Sequence, residues 1–156
     1  MLQATPQTVP TDPRLRAWRA FLRAHATLVR RLDAELDEGA GMGIADFDVL
    51  VQLERAGGEL RMSELADRVL LSRSGLTRRV DRLEELGWVA RRSCVDDRRG
   101  AHATLTASGR ESLLRALPTH LAGIGEHFID RLDEADLERL ETIMERLVPA
   151  PPAGPR

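Results

Sequence analysis

At 156 residues, 42% hydrophobic and 31% charged, the chain fits one domain that can bury a core without disulfide staples. A formal charge of −2 excludes a global polycation, and the single cysteine, Cys94, excludes an internal disulfide. No apolar run approaches the roughly 18 residues of a membrane span, and the first residues, MLQATPQTVPTDPR, lack the charged-then-apolar order of a secretory signal, so a cytoplasmic protein without a membrane partner is expected.

Residues 1–12, rich in Pro and Thr, are expected to form a flexible N-terminus. From Pro13, with Asp12 as its cap, a long helix is predicted to about residue 38. In it Leu15, Trp18, Leu22, His25, Val29, Leu32 and Leu36 alternate at spacings of three and four, a heptad-like seam that Phe21 and Leu28 widen. A seam this long needs an equally long surface, and the expectation is that it divides between the chain's own core and a second subunit. GAGMG breaks the helix. IADFDVLVQLERAGG then predicts a second one, with Ile44, Phe47, Leu50 and Leu53 inward and Gly57 and Gly58 closing it.

The next stretch, RMSELADRVLLSRSGLTRRVDRLEELGW, reads as two short helices joined by a tight turn. The first is predicted from about Glu64 to Val69 and the second from after Ser72 to Gly87, with Ser63 and Ser72 as N-caps. Leu76, Val80 and Leu83 share one face of the second helix, Ser74, Arg78, Asp81 and Glu85 lie opposite, and Thr77 sits on the flank. Small donors and long cations therefore meet the positive pole and free N–H groups of the helix start, which suits phosphates and base edges. That is the helix-turn-helix arrangement, although the same face also fits an ordinary surface helix with scattered charges. Gly75 inside this helix costs about 1 kcal/mol relative to alanine, which fits either a close backbone approach to phosphate or neutral variation.

The charge distribution points the same way. Between Arg61 and Arg99 ten arginines face seven acids, a net of +3, while the remainder carries −5. A basic middle on an acidic scaffold is the expected footprint of a nucleic-acid face. Lysine is absent and all 23 basic residues are arginine.

After Gly87 the period changes. WVARRSCV is extended in character, DDRRG is turn-like, and AHATLT alternates Ala101, Ala103 and Leu105 against His102 and Thr104, so a β-hairpin is predicted. Attached to a helix-turn-helix it is a wing, and Arg98 and Arg99 at its tip suit a narrow minor groove. The alternative is that Asp96, Asp97, Arg98 and Arg99 pair among themselves. Thr106 is the expected cap of ESLLRALPTHLAGIGEHFIDRL, in which Pro118 should produce a kink. Asp133 caps EADLERLETIMERL, with Leu137, Leu140, Ile143, Met144 and Leu147 apolar, and residues 149–156, PAPPAGPR, are an expected disordered tail.

The fold class these elements predict is mainly α with a small β-hairpin wing (α+β). A single domain over residues 13–148 would hold a winged helix-turn-helix at 44–106 between dimerisation helices at 13–38 and 107–148. Enzyme motifs such as G-x-S-x-G, H-E-x-x-H and the P-loop are missing, so no catalysis and no cofactor are expected. His120 and His127 lie seven residues apart, about 10 Å along a helix, too far to chelate one ion together. Cys94 follows Arg91 and Arg92, which would favour its thiolate, so a redox- or metal-responsive regulator of the same fold is the alternative reading. From another class, a protein-interaction module without DNA binding would use the terminal helices but leave the winged reader unexplained.

SELADRVLLSRSGLTRRVDRLEELGWVARR, then DDRRG, then LTASGR, in that order, resemble the MarR family of bacterial winged-helix regulators, and the resemblance extends from about Leu15 to Leu147. It implies a homodimer whose terminal helices interlock, with Leu15, Leu22, Leu137, Leu140, Ile143 and Met144 as candidate dimerisation residues. It also implies a transcriptional repressor on a pseudo-palindromic double-stranded operator, each recognition helix in the major groove and each wing in the flanking minor groove. By matching positions, Ser72, Arg73, Ser74, Thr77 and Arg78 are the reading end, Arg98 and Arg99 the wing-tip arginines, and Asp97 a wing brace. Leu65, Ala66, Leu76, Val80 and Leu83 match packing positions. A small aromatic or other lipophilic effector is implied in a crevice between dimer helices and reader, where Trp18, Phe21 and His25 are candidate wall residues. Peroxide sensors of the family typically carry their reactive cysteine near the N-terminal helices, where this chain has none.

Overall fold

A computed structural model describes residues 12–69, 72–93 and 101–148, without the side chains of Arg14, Arg73 and Ser93. The heptad-like seam forms α1, Arg14–Ala40, which ends where Gly41 turns left-handed at φ 63° and returns its N–H to the Asp37 carbonyl. The cap is Pro13 rather than Asp12. Pro13 already has helical dihedrals, and Asp12 contributes its carbonyl, which accepts from Leu15 N–H at 3.0 Å. The helix also outlasts its predicted end by two residues, because Gly39 and Ala40 stay helical and only Gly41 stops it.

Next comes α2, Ile44–Arg55. Gly43 stands at its cap and has no side chain to offer, so Asp33 of α1 accepts the Ile44 N–H at 2.8 Å. Phe47, Val49, Leu50 and Leu53 are buried, and Gly57 and Gly58, both at positive φ, close the helix as expected. A short strand not anticipated from the sequence follows, β1 at Glu59–Arg61, and leads directly into α3, Met62–Arg68. Helix α3 begins two residues earlier than predicted. Glu64 reaches back to the Arg61 N–H, and Ser63, the expected cap, lies inside the first turn.

Helix α4, Arg73–Glu85, precedes β2, Val89–Ser93, and β3, Ala101–Leu105. The hairpin strands are as predicted, but the sheet has three strands in the order β1-β3-β2, all antiparallel. Ala103 sits opposite both Leu60 and Arg91, fully buried at its centre. Residues 1–11 and 149–156, Leu70 and Leu71 of the turn, and Cys94, Asp96, Asp97, Arg98 and Arg99 of the wing lie outside the described residues.

Helix α5, Ala107–His127, is capped by Thr106, whose hydroxyl oxygen accepts from Gly109 N–H at 3.0 Å and whose O–H donates to the Gly87 carbonyl at 2.7 Å. Gly109 packs against the backbone of Trp88, between α4 and β2. A methyl group there would overlap the Trp88 carbonyl oxygen. The helix runs through Pro118 as one continuous element, and the long predicted C-terminal segment breaks only at a 3-10 turn, Ile129–Arg131. Asp133 then caps α6, Glu134–Glu145, by accepting from Asp136 N–H at 2.8 Å.

The core lies under the reader. Leu36 of α1, Leu50 and Leu53 of α2, Leu65 of α3, Leu76, Val80 and Leu83 of α4 and Val89 of β2 pack into one buried cluster, joined by Leu113 and Ala116 of α5. The outer half of α1 and all of α6 stand apart from it. Trp18, Phe21 and Leu22 are exposed, and α6 contains no buried residue.

Candidate nucleic-acid interface

Ser72 begins α4 as expected: its Oγ accepts the Gly75 N–H at 3.1 Å and lies 3.3 Å from the Ser74 Oγ. Satisfying one of the orphan donors of the first turn fixes where the helix starts, and so which residues stand at its electropositive end. The stripe Leu76, Val80 and Leu83 is fully buried, at 0–1% exposure. Ser74, Thr77 and Arg78 are consequently left on the outer surface. Of the sequence-predicted reading residues, the structure brings Ser72, Ser74, Thr77 and Arg78 to one end of one helix. The Arg73 side chain and the wing arginines Arg98 and Arg99 lie outside what it describes.

Along the same helix an open groove of about 310 Å³ is lined by Gly75, Arg78, Arg79 and Arg82. Its arginines are not equivalent. Arg79 Nη1 donates to Asp46 Oδ1 of α2 at 3.0 Å, and Arg82 Nε lies 3.5 Å from Asp46 Oδ2. Arg78 is exposed and pairs with no carboxylate among the described residues.

The other flank of α4 is tied to the wing. Arg91 of β2 sits 2.6 Å from Asp81 Oδ1, its Nη2 donates to the Thr77 carbonyl at 3.2 Å, and its backbone N–H donates to Glu84 at 3.1 Å. One cation thereby offsets two acids that would otherwise repel a phosphate backbone, and it holds strand and helix together. Sequence reasoning assigned Arg91 only to the surroundings of Cys94. It gave no role to Asp46. Their partners lie too far along the chain for any local spacing rule to reveal.

Trp18, Phe21 and His25 stack along the outer half of α1, with ring centroids 5.9 Å apart for the first pair and 6.2 Å for the second. The three come together as an exposed ladder. The candidate dimerisation residues share this openness: Leu22 and Ile143 are exposed, and Leu15, Leu137, Leu140 and Met144 are half-buried. The two histidines of α5 are engaged separately. His120 packs on the Phe47 ring at 4.4 Å, and burial pushes its pKa below the ordinary 6.5. The His127 Nε2 meets the Glu35 carboxylate of α1. Among the described residues no cluster of three or more His, Cys, Asp or Glu could hold a metal, and no helix is long and apolar enough to cross a membrane.

With this geometry in view, the sequence profile of the MarR family matches residues 40–100, from the end of α1 through the reader. An HTH-type transcriptional regulator of Bacillus cereus, itself uncharacterised, is 35% identical over 103 residues, which cover 66% of this chain and 67% of that protein. The crystal structure of Sco3205, a MarR family regulator from Streptomyces coelicolor in complex with DNA, is 36% identical over 92% of this chain and 96% of its own, with a TM-score of 0.80. AbsC, another MarR family regulator from Streptomyces coelicolor, is 34% identical over 90% of this chain and 95% of its own, with a TM-score of 0.81. A capped, outward-facing α4, a sheet braced against it and these likenesses over nearly the whole chain agree: the protein belongs to the MarR family of winged-helix transcriptional regulators.

Proposed function

We propose that the protein is a homodimeric, sequence-specific repressor that binds a pseudo-palindromic double-stranded operator and is released by a small-molecule effector. The observation that carries this reading is the division of α4: its apolar stripe is wholly buried, while Ser74, Thr77 and Arg78 lie on the outer surface at its capped, electropositive end. A helix anchored this way can enter a major groove as a rigid body, with Arg78 and the hydroxyls against base edges and the helix start against phosphate. The DNA complex of its Streptomyces coelicolor relative supports the assignment. Arg98 and Arg99 are assigned to the flanking minor groove.

Uncovered apolar surface supports dimerisation. Trp18, Phe21 and Leu22 of α1 and Ile143 of α6, with Leu147 and Val148 beyond it, are 41–69% exposed, and a second copy interlocking with both termini would bury them. The stacked ladder of Trp18, Phe21 and His25 then becomes part of a covered crevice suited to a small aromatic or other lipophilic effector. Such an effector releases the DNA only by binding more tightly to a dimer whose two α4 helices no longer match adjacent grooves. The site of action is the cytoplasm, where the promoter is.

Selection of bound duplexes from a random pool tests the reading. It should return a two-fold symmetric sequence with half-sites about one helical turn apart, bound by a dimer in sedimentation and lost steeply as salt rises. An unenriched pool, or a monomer at micromolar concentration, would sink it.

A further inference from the structure

Among the described residues, Asp46 is the one acid wholly removed from solvent, at 1% exposure. A buried carboxylate is tolerated only where opposite charge and hydrogen bonds replace the water it has lost. Helix α4 supplies two opposite charges and one hydrogen bond, from Arg79, while Oδ2 accepts no hydrogen bond among the described residues. Arg79 donates to Oδ1 at 3.0 Å and Arg82 approaches Oδ2 at 3.5 Å. The two arginines are three residues apart, so they share one face of α4, the face turned toward α2. Arg78, one turn before Arg82 and lining the same groove, is exposed and pairs with no carboxylate among the described residues.

Hydrophobic contact between the two helices is non-directional, and the stripe Leu76, Val80 and Leu83 alone tolerates a range of rotations of α4 about its axis. The ionic hydrogen bond from Arg79 is directional and narrows that latitude, with the Arg82 ion pair beside it. The other end of the connection is equally fixed. Asp46 lies in the first turn of α2, and the start of α2 is pinned to α1 by the bond from Ile44 N–H to Asp33. We propose that Asp46 is a positioning residue for DNA recognition: by holding Arg79 and Arg82 from behind, it sets the rotation of α4 and reserves Arg78 for the base edges. The three arginines of the α4 groove are thus sorted by one carboxylate, two as anchors and one as reader.

The proposal rests on α4 being the DNA-reading helix. Its test uses the full-length protein, the duplex selected from the random pool, and a scrambled duplex of equal length. Asp46→Asn keeps the shape and removes the charge. Relative to the unaltered protein, the ratio of selected to scrambled affinity should fall at least tenfold. Binding to the scrambled duplex should hold or rise, and the log–log salt slope should steepen by about one to two, as Arg79 and Arg82 become free to meet phosphates. A merely structural role would weaken both duplexes together, by the loss of folded protein. An unchanged ratio in a folded Asp46→Asn protein overturns the proposal.

Should Asp46→Asn not fold by circular dichroism, Arg82→Gln replaces it, since Arg82 is half-exposed and Arg79 still neutralises the carboxylate. The ratio should then fall threefold or more with scrambled binding unaltered. Equal losses on both duplexes, with the salt slope reduced by about one, would make Arg82 a phosphate contact and overturn the clamp. Failure of the unaltered protein to select any sequence would instead strike at the function itself, not at Asp46.

Discussion

The reader and the termini of this molecule are built from similar amphipathic helices yet end in opposite states. In the reader the apolar face of α4 is entirely covered by α2, α3 and the sheet, and its polar flanks are fastened by Asp46 on one side and Arg91 on the other. In α6 the apolar residues are at best half-buried, and the outer half of α1 exposes an aromatic ladder. A helix pattern says which face seeks cover; only the remainder of the chain decides whether cover is supplied from within. The reader is self-sufficient, and the termini are complete only with another surface against them.

That contrast can be tested by making comparable cuts in both regions. Leu83→Ala, in the covered stripe, should destabilise the protein by about 2–5 kcal/mol in urea denaturation, because the cavity cannot collapse among α2, α4 and the sheet. A loss below 1 kcal/mol would mean the reader is looser than its burial suggests. Gly109→Ala follows, at about 1–3 kcal/mol, since the new methyl must displace the Trp88 carbonyl and with it the junction of reader and α5. Near-normal thermal stability in that variant would refute the close approach. Ser72→Ala should cost about 1 kcal/mol by removing the cap of α4, and the loss should appear as faster amide exchange in its first turn.

At the termini the same kind of truncation should behave differently. Leu147→Ala, 69% exposed, should alter urea stability by less than about 0.5 kcal/mol at concentrations where the protein is monomeric, while raising the dimer dissociation constant in sedimentation. A large loss of monomer stability would erase the distinction between the two regions. The smallest effect is expected from pH. Burial holds the His120 pKa below 6.5, so the unfolded chain takes up a proton first as pH falls. Stability is therefore complete above about pH 6.5 and declines below it, toward the lowered pKa of the folded state. Urea midpoints at pH 7.5 and 5.5 should differ less in His120→Leu than in the unaltered protein, and identical differences would remove His120 from the account.

What was legible in the sequence was local. Ser72, Thr106 and Asp133 announce their helices because each cap bonds a backbone N–H three residues on. The burial of Leu76, Val80 and Leu83 follows from a 3.6-residue period. Ser63 shows the limit of such signals, since Glu64 and the strand before it drew the helix start back to Met62. β1 was illegible for a different reason: Glu59–Arg61 is too short for a period of two to register, and its partner β3 lies some forty residues away. Asp46 looked like any acid in a first helical turn, and only the return of the chain at Arg79 makes it a buried anchor.

The strand order has a consequence for synthesis. β3 lies between β1 and β2 but is the last of the three to leave the ribosome. Until residue 105 emerges, β1 and β2 have no partner in this sheet, and the junction at Thr106 and Gly109 cannot close. A nascent chain stopped before that point therefore carries the whole of α4 without its supporting sheet. It should yield a protease-sensitive polypeptide rather than a smaller, wingless reader.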